Sequence, residues 1–264
     1  MRDNPYFNFL KKDFNQTLMV FTLVVVINVG ITTVSNIYMA LEPSFDRQIN
    51  FYSQASPMAA MMCFIMGIMF ILMNFSGGIS IRGDRAGFLK AFALWSIIMA
   101  VFMALFGTVF EMVMKSLTEA ITHREVILIS DVQWVELNGV EFSVSQISPI
   151  WFLKTVINRS ISNLMLLSLG YMLGSIGYRL KKRTNILIFV VLPIVLIGCI
   201  VNSSIRGDQF IINLGLMIIN TVVYLCENPM LITIIQIIGL GIFSFIGTKF
   251  LIKAPTNDYA HDLI

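Results

Sequence analysis

The stretch FLKAFALWSIIMAVFMALFGTVF, Phe88–Phe110, has 23 residues and a single charged side chain, Lys90. A helix rises about 1.5 Å per residue, so this run can cross a hydrocarbon core of about 30 Å. That core contains no water, and the backbone N–H and C=O groups must therefore be satisfied within the protein, as they are in a helix. The stretch predicts a membrane-spanning helix.

The rest of the chain has the same character. It has 264 residues, of which 57% are hydrophobic and 12% charged, whereas soluble domains have about 25% charged residues. The first apolar run is too long for a signal peptide and has no small-x-small cleavage site. We predict an all-α polytopic membrane protein with a single domain over residues 1–264. Its six predicted spans are Leu18–Leu41, Pro57–Phe75, Phe88–Phe110, Pro149–Tyr178, Thr184–Ser203 and Pro229–Leu251.

Proline residues mark three of these boundaries. The pairs are Ser56-Pro57, Ser148-Pro149 and Asn228-Pro229. Ser and Asn side chains accept hydrogen bonds from the free N–H groups at a helix start, and proline at the first helical position loses no hydrogen bond. Each pair therefore predicts the beginning of a helix.

The distribution of charge predicts the orientation. With the N-terminus inside, the inner segments hold 12 basic and 5 acidic residues, and the outer segments hold 6 basic and 10 acidic residues. Lys and Arg concentrate in cytoplasmic loops. Both termini are therefore predicted to be cytoplasmic.

Two segments outside the spans are predicted to lie at the membrane surface. Pro5–Gln16 is predicted to be an interfacial helix, with Lys11 and Lys12 toward the headgroups. Its apolar face carries Tyr6, Phe7, Leu10 and Phe14. Phe210–Cys226 is apolar but runs almost directly into Pro229. We predict that it is re-entrant from outside, and a seventh span remains the alternative.

An outer β-hairpin is predicted in WVELNGVEFSV, residues 134–144. Asn138-Gly139 separates two runs of strand-forming residues, as in a type I′ turn. Glu136 then lies opposite Glu141, which is unfavourable for two like charges. The two carboxylates are interpreted either as solvated side chains or as a site for a cationic ligand.

Residues that carry chemistry are few. No phosphate-binding G-x-x-x-x-G-K-[ST] loop and no H-E-x-x-H zinc motif occurs in the sequence. His123 and His261 are predicted on opposite sides of the membrane, and the cysteines lie in apolar stretches. We therefore expect no enzyme activity, no metal or cofactor in this chain, and no nucleic-acid partner.

Charged residues within the predicted spans are given structural interpretations. Glu111 and Lys115 are four residues apart and are predicted to pair on one helix face. Lys154 and Arg159 are predicted to lie above the membrane and to extend toward headgroups. Without deeper charges, an ion-coupled carrier is disfavoured.

Uncharged polar residues form a stripe on the first span. Asn28, Thr32 and Asn36 recur every four residues and share one face. They line a substrate path in one interpretation and bond neighbouring helices in the other. In the fourth span, Gly170 and Gly174 are spaced for close helix packing.

The segment GGISIRGDRAGFLKAF, residues 77–92, joins the second and third spans. It contains Arg82, Gly83-Asp84-Arg85 and then Phe88. Together with six helices, an amphipathic N-terminal helix and an outer re-entrant segment, this arrangement resembles the permease subunits of type-2 ATP-binding-cassette exporters. Their loop carries an arginine followed by G-x-(x)-R-x-x-F, and this chain has the shorter spacing. The closest likeness is to small bacterial exporters of amphipathic peptides or antibiotics.

The resemblance implies a mechanism and partners. In that family the loop is a short coupling helix that lies in a groove of a separate ATPase subunit, which binds ATP and Mg²⁺. Glycines would turn the chain, Asp84 would cap the next helix, and Arg82 and Arg85 would pair with acidic groups of the ATPase, with Phe88 completing the motif. A second permease copy, identical or not, would complete the transporter in the lipid of a bacterial cell membrane.

Four alternatives remain open from the sequence. In the first, the charged loop only binds lipid headgroups. In the second, the chain is a secondary carrier. In the third, it is a receptor or immunity protein that binds a peptide through the outer hairpin. An intramembrane enzyme is the last alternative.

Overall fold

The computed structural model describes residues 5–40, 49–52, 55–82, 84–123, 126–129, 149–180 and 228–254, with single residues at 184, 213 and 217. These ranges contain five helices and two short strands. In chain order they are α1 (Pro5–Ala40), β1 (Ile49–Tyr52), α2 (Ala55–Arg82), α3 (Arg85–Thr122), β2 (Val126–Ile129), α4 (Pro149–Arg179) and α5 (Pro229–Ile252).

All five helices are long and apolar enough to cross a membrane. Each of the five corresponds to a predicted span. The structure therefore agrees with a membrane protein built from several spanning helices. The predicted span Thr184–Ser203 and the apolar segment Phe210–Cys226 lie outside the described residues, apart from single positions. The number of spans therefore stays a prediction beyond these five.

The predicted helix starts are largely confirmed. α4 begins at Pro149 and α5 begins at Pro229, whereas α2 begins at Ala55, two residues before Pro57. Asn228 holds the capping position of α5, but its side chain makes no capping hydrogen bond. At the start of α5, proline therefore acts through its fixed backbone angle rather than through a capped neighbour.

The separate interfacial helix is a wrong prediction, because α1 is continuous from Pro5 to Ala40. The shared apolar face is real, but it contacts protein. Tyr6, Leu10 and Phe14 are at most 2% exposed and belong to the central apolar cluster. Burying these side chains against other helices is as favourable as burying them in lipid, and the helix is continuous through this region.

An aromatic cluster joins the N-terminal turns of α1 to the other helices. The Phe14 ring centroid lies 4.6 Å from that of Phe70 and 5.6 Å from that of Trp95. Phe92 stacks on Tyr171 of α4, with 5.4 Å between ring centroids. The Trp95 indole N–H donates to the carbonyl of Phe7 at 3.0 Å, so its polar atom is also satisfied.

Helix α4 lies at the centre of the described bundle and packs against α2, α3 and α5. The predicted close packing at Gly170 and Gly174 is confirmed. A Cβ atom added to Gly170 would overlap the Phe64 carbonyl oxygen, and one added to Gly174 would lie 2.8 Å from the Ile68 carbonyl oxygen. The backbones of α2 and α4 are in direct contact, which only glycine permits.

The strands β1 and β2 pair in parallel, with Ile49 opposite Val126 and Tyr52 opposite Ile129. They follow α1 and α3 at the same end of the bundle. The predicted hairpin around Asn138-Gly139, with Glu136 and Glu141, lies outside the described residues and stays a prediction.

Candidate functional site

The connection between α2 and α3 is the first candidate site. α2 ends at Arg82 and α3 begins at Arg85. Two residues are too few for the separate coupling helix that the family resemblance implied, so that expectation is corrected. The apolar runs on both sides continue as helices into the charged segment.

Glycines in this segment allow close contacts, and the two at its beginning do not turn the chain. Gly77 and Gly78 lie within α2. A Cβ atom added to Gly78 would overlap the ring of Phe88, and one added to Gly87 would overlap the Asp84 carboxylate and lie 3.0 Å from the Tyr6 ring. Glycine fits at these two positions because neighbouring side chains, the Phe88 ring at Gly78 and the Asp84 carboxylate at Gly87, occupy the space that a side chain would take.

Phe88 is fully buried at this junction. Its ring meets the rings of Tyr6 and Phe75 edge to face, with centroids 6.1 and 5.5 Å away. It cannot contact another protein in this conformation. Any contribution that Phe88 makes to coupling must come from holding α2, α3 and the start of α1 together.

The turn is hydrogen-bonded to the first and last described helices. The Asp84 backbone N–H donates to the Tyr6 hydroxyl at 3.1 Å. The Arg85 guanidinium donates to the carbonyl of Ile252 at the end of α5. Asp84 occupies the capping position of α3, and its carbonyl accepts the Phe88 N–H at 3.2 Å. Its side chain makes no capping bond, which corrects part of the prediction.

Basic residues concentrate at this end of the bundle, which we call the basic end. The described segments hold eight basic and two acidic residues there: Lys11, Lys12, Arg82, Arg85, Lys90, Arg179, Lys249 and Lys253, with Asp13 and Asp84. The opposite end, which we call the distal end, has three basic and two acidic residues: Lys115, Lys154, Arg159, Glu111 and Glu119. Such an excess is typical of a cytoplasmic surface.

The second candidate site is a buried ion pair that the sequence interpretation missed. Arg159 Nη1 of α4 lies 2.8 Å from Glu111 Oε2 of α3 and donates to Thr108 Oγ1 at 3.0 Å. The Arg159 side chain is 5% exposed and the Glu111 side chain 0%. The Arg159 side chain therefore does not extend toward headgroups as predicted, and its level relative to the membrane stays a prediction.

The partners of Glu111 and Lys115 also differ from the prediction. Glu111 faces Arg159 on another helix, and Lys115 lies 3.6 Å from Glu119 on its own helix. Sequence spacing could not reveal this, because the two members of the buried pair are 48 residues apart. One signal was present: Arg159 lies on the same predicted span as Gly170 and Gly174, whose spacing predicted close contact of that span with another helix.

Some polar side chains on the described helices bond a neighbouring helix, whereas many Ser and Thr hydroxyls donate to a carbonyl of their own helix. Asn74 donates to the Asp13 carboxylate at 2.7 Å, and Gln236 donates to the Ser162 hydroxyl at 2.9 Å. The Tyr171 hydroxyl lies 3.0 Å from that of Thr248. These bonds connect α2 to α1, and α4 to α5.

The stripe on α1 behaves differently. Asn28 Oδ1 and Asn36 Nδ2 are buried and make no hydrogen bond. The Thr32 hydroxyl donates to the carbonyl of Asn28 on its own helix at 3.0 Å. The interpretation that this stripe bonds neighbouring helices is thus not supported at these atoms, and its place on a substrate path stays a prediction.

No family model, no curated protein and no solved structure matches this chain.

Proposed function

We propose that this chain is the permease subunit of an ATP-driven exporter in a bacterial cell membrane, with both termini in the cytoplasm. A separate ATPase subunit would bind ATP and Mg²⁺, and a second permease copy, identical or different, would complete the transporter. The substrate class is an amphipathic peptide, an antibiotic or another hydrophobic compound. The Asn28–Thr32–Asn36 stripe is the candidate wall of the path.

One observation carries this proposal: the α2–α3 turn is attached to both α1 and α5. A displacement of the turn would be transmitted to α1 through the Asp84–Tyr6 hydrogen bond and to α5 through the Arg85–Ile252 hydrogen bond. It also reaches α2 and α3 directly, since the turn joins them. A coupling element needs this property, because movement of the ATPase must be transmitted to several helices at once.

The basic charge of the turn supports contact with an acidic partner. Arg82 and Arg85 flank Asp84 in the sequence, and among the described residues of the basic end eight are basic and two are acidic. Arginine pairs well with carboxylates because its planar guanidinium offers several fixed donors. Headgroup binding by the same charges is the competing interpretation.

The test is purification of the tagged chain from its native membrane in mild detergent. We expect an ATPase subunit and its activity to copurify with the wild type. Arg82→Glu with Arg85→Glu should lose both, whereas Lys11→Glu with Lys12→Glu should keep them. This control reverses two exposed basic charges at the same end. Absence of ATPase activity with the wild type, or full retention in the arginine variant, would refute the proposal.

A secondary carrier is the second candidate, and one observation favours it. The sequence interpretation disfavoured a carrier because it predicted no deep charges, yet Glu111 and Arg159 are buried in the bundle. Ionisable residues at such positions often belong to ion pathways. Export driven by a pH gradient in proteoliposomes without any ATPase would support the carrier and exclude the first proposal.

A further inference from the structure

The Glu111–Arg159 pair lies about one hydrocarbon thickness from the basic end. Glu111 is 21 residues beyond Lys90 on α3, and Arg159 is 20 residues before Arg179 on α4. At 1.5 Å per residue each separation is about 30 Å, which matches the hydrocarbon core of about 30 Å. With the basic residues at one boundary of the membrane, the pair lies at the other boundary.

The helices are closely packed around Arg159 at that boundary. The small residues around it include Ala55, Ser56 and Ala59 of α2 and Gly107 of α3, and they leave no room for a water molecule beside Arg159. In the conformation described, water is therefore excluded from the space beside Arg159.

The two halves of α4 are attached by different kinds of contact. Toward the basic end, Gly170 and Gly174 press against the backbone of α2, and such a contact allows little movement. Toward the distal end, α4 is attached to α3 by the long Arg159 side chain. The guanidinium of an arginine near a boundary can move to the headgroups while its stem stays in the apolar layer.

Charge is not required for tight packing at this position. Replacing a buried ion pair by apolar side chains of similar volume is often neutral or stabilising, because the desolvation of both charges no longer has to be offset. An ion pair also differs from apolar contact in one property: entry of water weakens its attraction strongly. The ion pair therefore breaks more readily once the surrounding helices separate and admit water.

We propose that Glu111 and Arg159 form a latch between the distal segments of α3 and α4. In the closed state the pair and Thr108 hold the segments together and exclude water. In the open state the pair is broken, the two charges are hydrated, and the interior of the bundle is accessible from the distal end. The latch requires only the spanning arrangement of α3 and α4 and does not rest on an ATPase partner.

The test measures how quickly a buried position near the latch becomes accessible. Thr155 on α4 is 4% exposed and lies one turn from Arg159 toward the distal end. Thr155→Cys is introduced into a parent chain whose cysteines at 63, 199 and 226 are replaced by alanine. The protein is reconstituted in lipid nanodiscs and treated with a charged thiol reagent.

Three changes to the pair give distinct expected rates. Glu111→Gln should raise the labelling rate at position 155 by about tenfold or more, because one charge is left without its counter-ion. Glu111→Leu with Arg159→Met should lower the rate below that of the parent without lowering the melting temperature. Glu111→Arg with Arg159→Glu should return the rate to near that of the parent.

The control reporter is Ser175→Cys, at a fully buried position in the basic-end half of α4. Its labelling rate should not change in any of these variants. Equal rates at position 155 in the parent and the apolar variant, or no labelling of the parent at all, would show a static contact and overturn the latch. Parallel increases at 155 and 175 would show general loosening and also overturn it.

A second variant covers the case in which Glu111→Gln does not fold. Arg159→Lys keeps the positive charge but loses the forked guanidinium, and an intermediate increase at position 155 is expected. An unchanged rate in this variant would count against the latch. Failure of ATPase copurification would leave these rates unaffected, so the two proposals fail separately.

Discussion

Helices α4 and α5 are neighbours that both meet the length and hydropathy required to cross a membrane, yet they have opposite surroundings. In the most apolar stretch of each helix, 44% of the residues of α4 are buried, against 6% in α5. α4 is the least hydropathic of the five helices. Its buried residues include Arg159, Asn163 and three serines.

The difference shows what selects the central helix of this bundle. Apolar side chains gain nothing by leaving lipid for other apolar side chains, so hydrophobicity does not draw α5 inward. Polar side chains need hydrogen-bonding partners, which other helices supply and lipid does not. Small residues let two helices approach closely. Both properties favour the central position of α4. Met230 and Phe245 of α5 accordingly remain 83% and 61% exposed to the surroundings.

The largest expected effect comes from filling a glycine on α4. In Gly170→Leu the new side chain would overlap the Phe64 carbonyl, and the contact between α2 and α4 must open. We expect a loss of more than about 4 kcal/mol, seen as loss of folded protein in size-exclusion chromatography. The matched control is Gly241→Leu on α5, which meets nothing within 4 Å and should fold normally. Equal behaviour of the two variants would contradict the comparison.

The next effect compares one cation on each helix. Arg159→Met removes the counter-ion of the fully buried Glu111 and should lower the unfolding free energy by about 3–5 kcal/mol. Lys249 of α5 is exposed, with its ammonium 4.6 Å from the centre of the Phe245 ring. Lys249→Met should therefore cost under about 1 kcal/mol.

Reversible unfolding in mixed micelles measures both values. If Lys249→Met lost as much unfolding free energy as Arg159→Met, the burial of a cation would not determine its contribution to stability, and the comparison of the two helices would fail.

The smallest effect concerns the bond between the two helices. Gln236→Leu removes the 2.9 Å hydrogen bond to Ser162 of α4, and such bonds contribute about 0.6 kcal/mol on average in membranes. Ser162→Ala should cost a similar amount. The double variant should cost no more than either single one, and a double-mutant cycle measures this coupling. Additive losses would show that the two side chains do not act as a pair.

Sequence patterns predicted the elements well and their packing partly. Long apolar runs correctly predicted the five described helices, and Pro149 and Pro229 marked helix starts. Gly170 and Gly174 correctly predicted a close helix contact. The junction at 77–92 was misjudged, since its charges and glycines suggested a separate element where two helices continue to Arg82 and Arg85. Charge within a helix end does not stop the helix, because at a membrane boundary those side chains reach water.

The candidate sites show more clearly that the sequence does not reveal which distant residues meet. Arg82, Asp84 and Arg85 stand out in the sequence, but their attachment to Tyr6 and Ile252 joins positions as far as 167 residues apart. Glu111 and Arg159 were both noted as charges in apolar runs, but Glu111 was paired with Lys115 and Arg159 with headgroups, whereas the structure pairs them with each other.

The sequence by itself determined that the chain forms long apolar helices, because backbone groups in a hydrocarbon core must bond within their own helix and each run is long enough to cross it. Only the tertiary structure decided which helix is central, which charges meet and which face of α1 is buried. Those outcomes depend on contacts between distant residues, and lipid is as good a solvent for an apolar face as the protein interior. A hydropathy pattern therefore cannot distinguish a face that contacts lipid from one that contacts another helix.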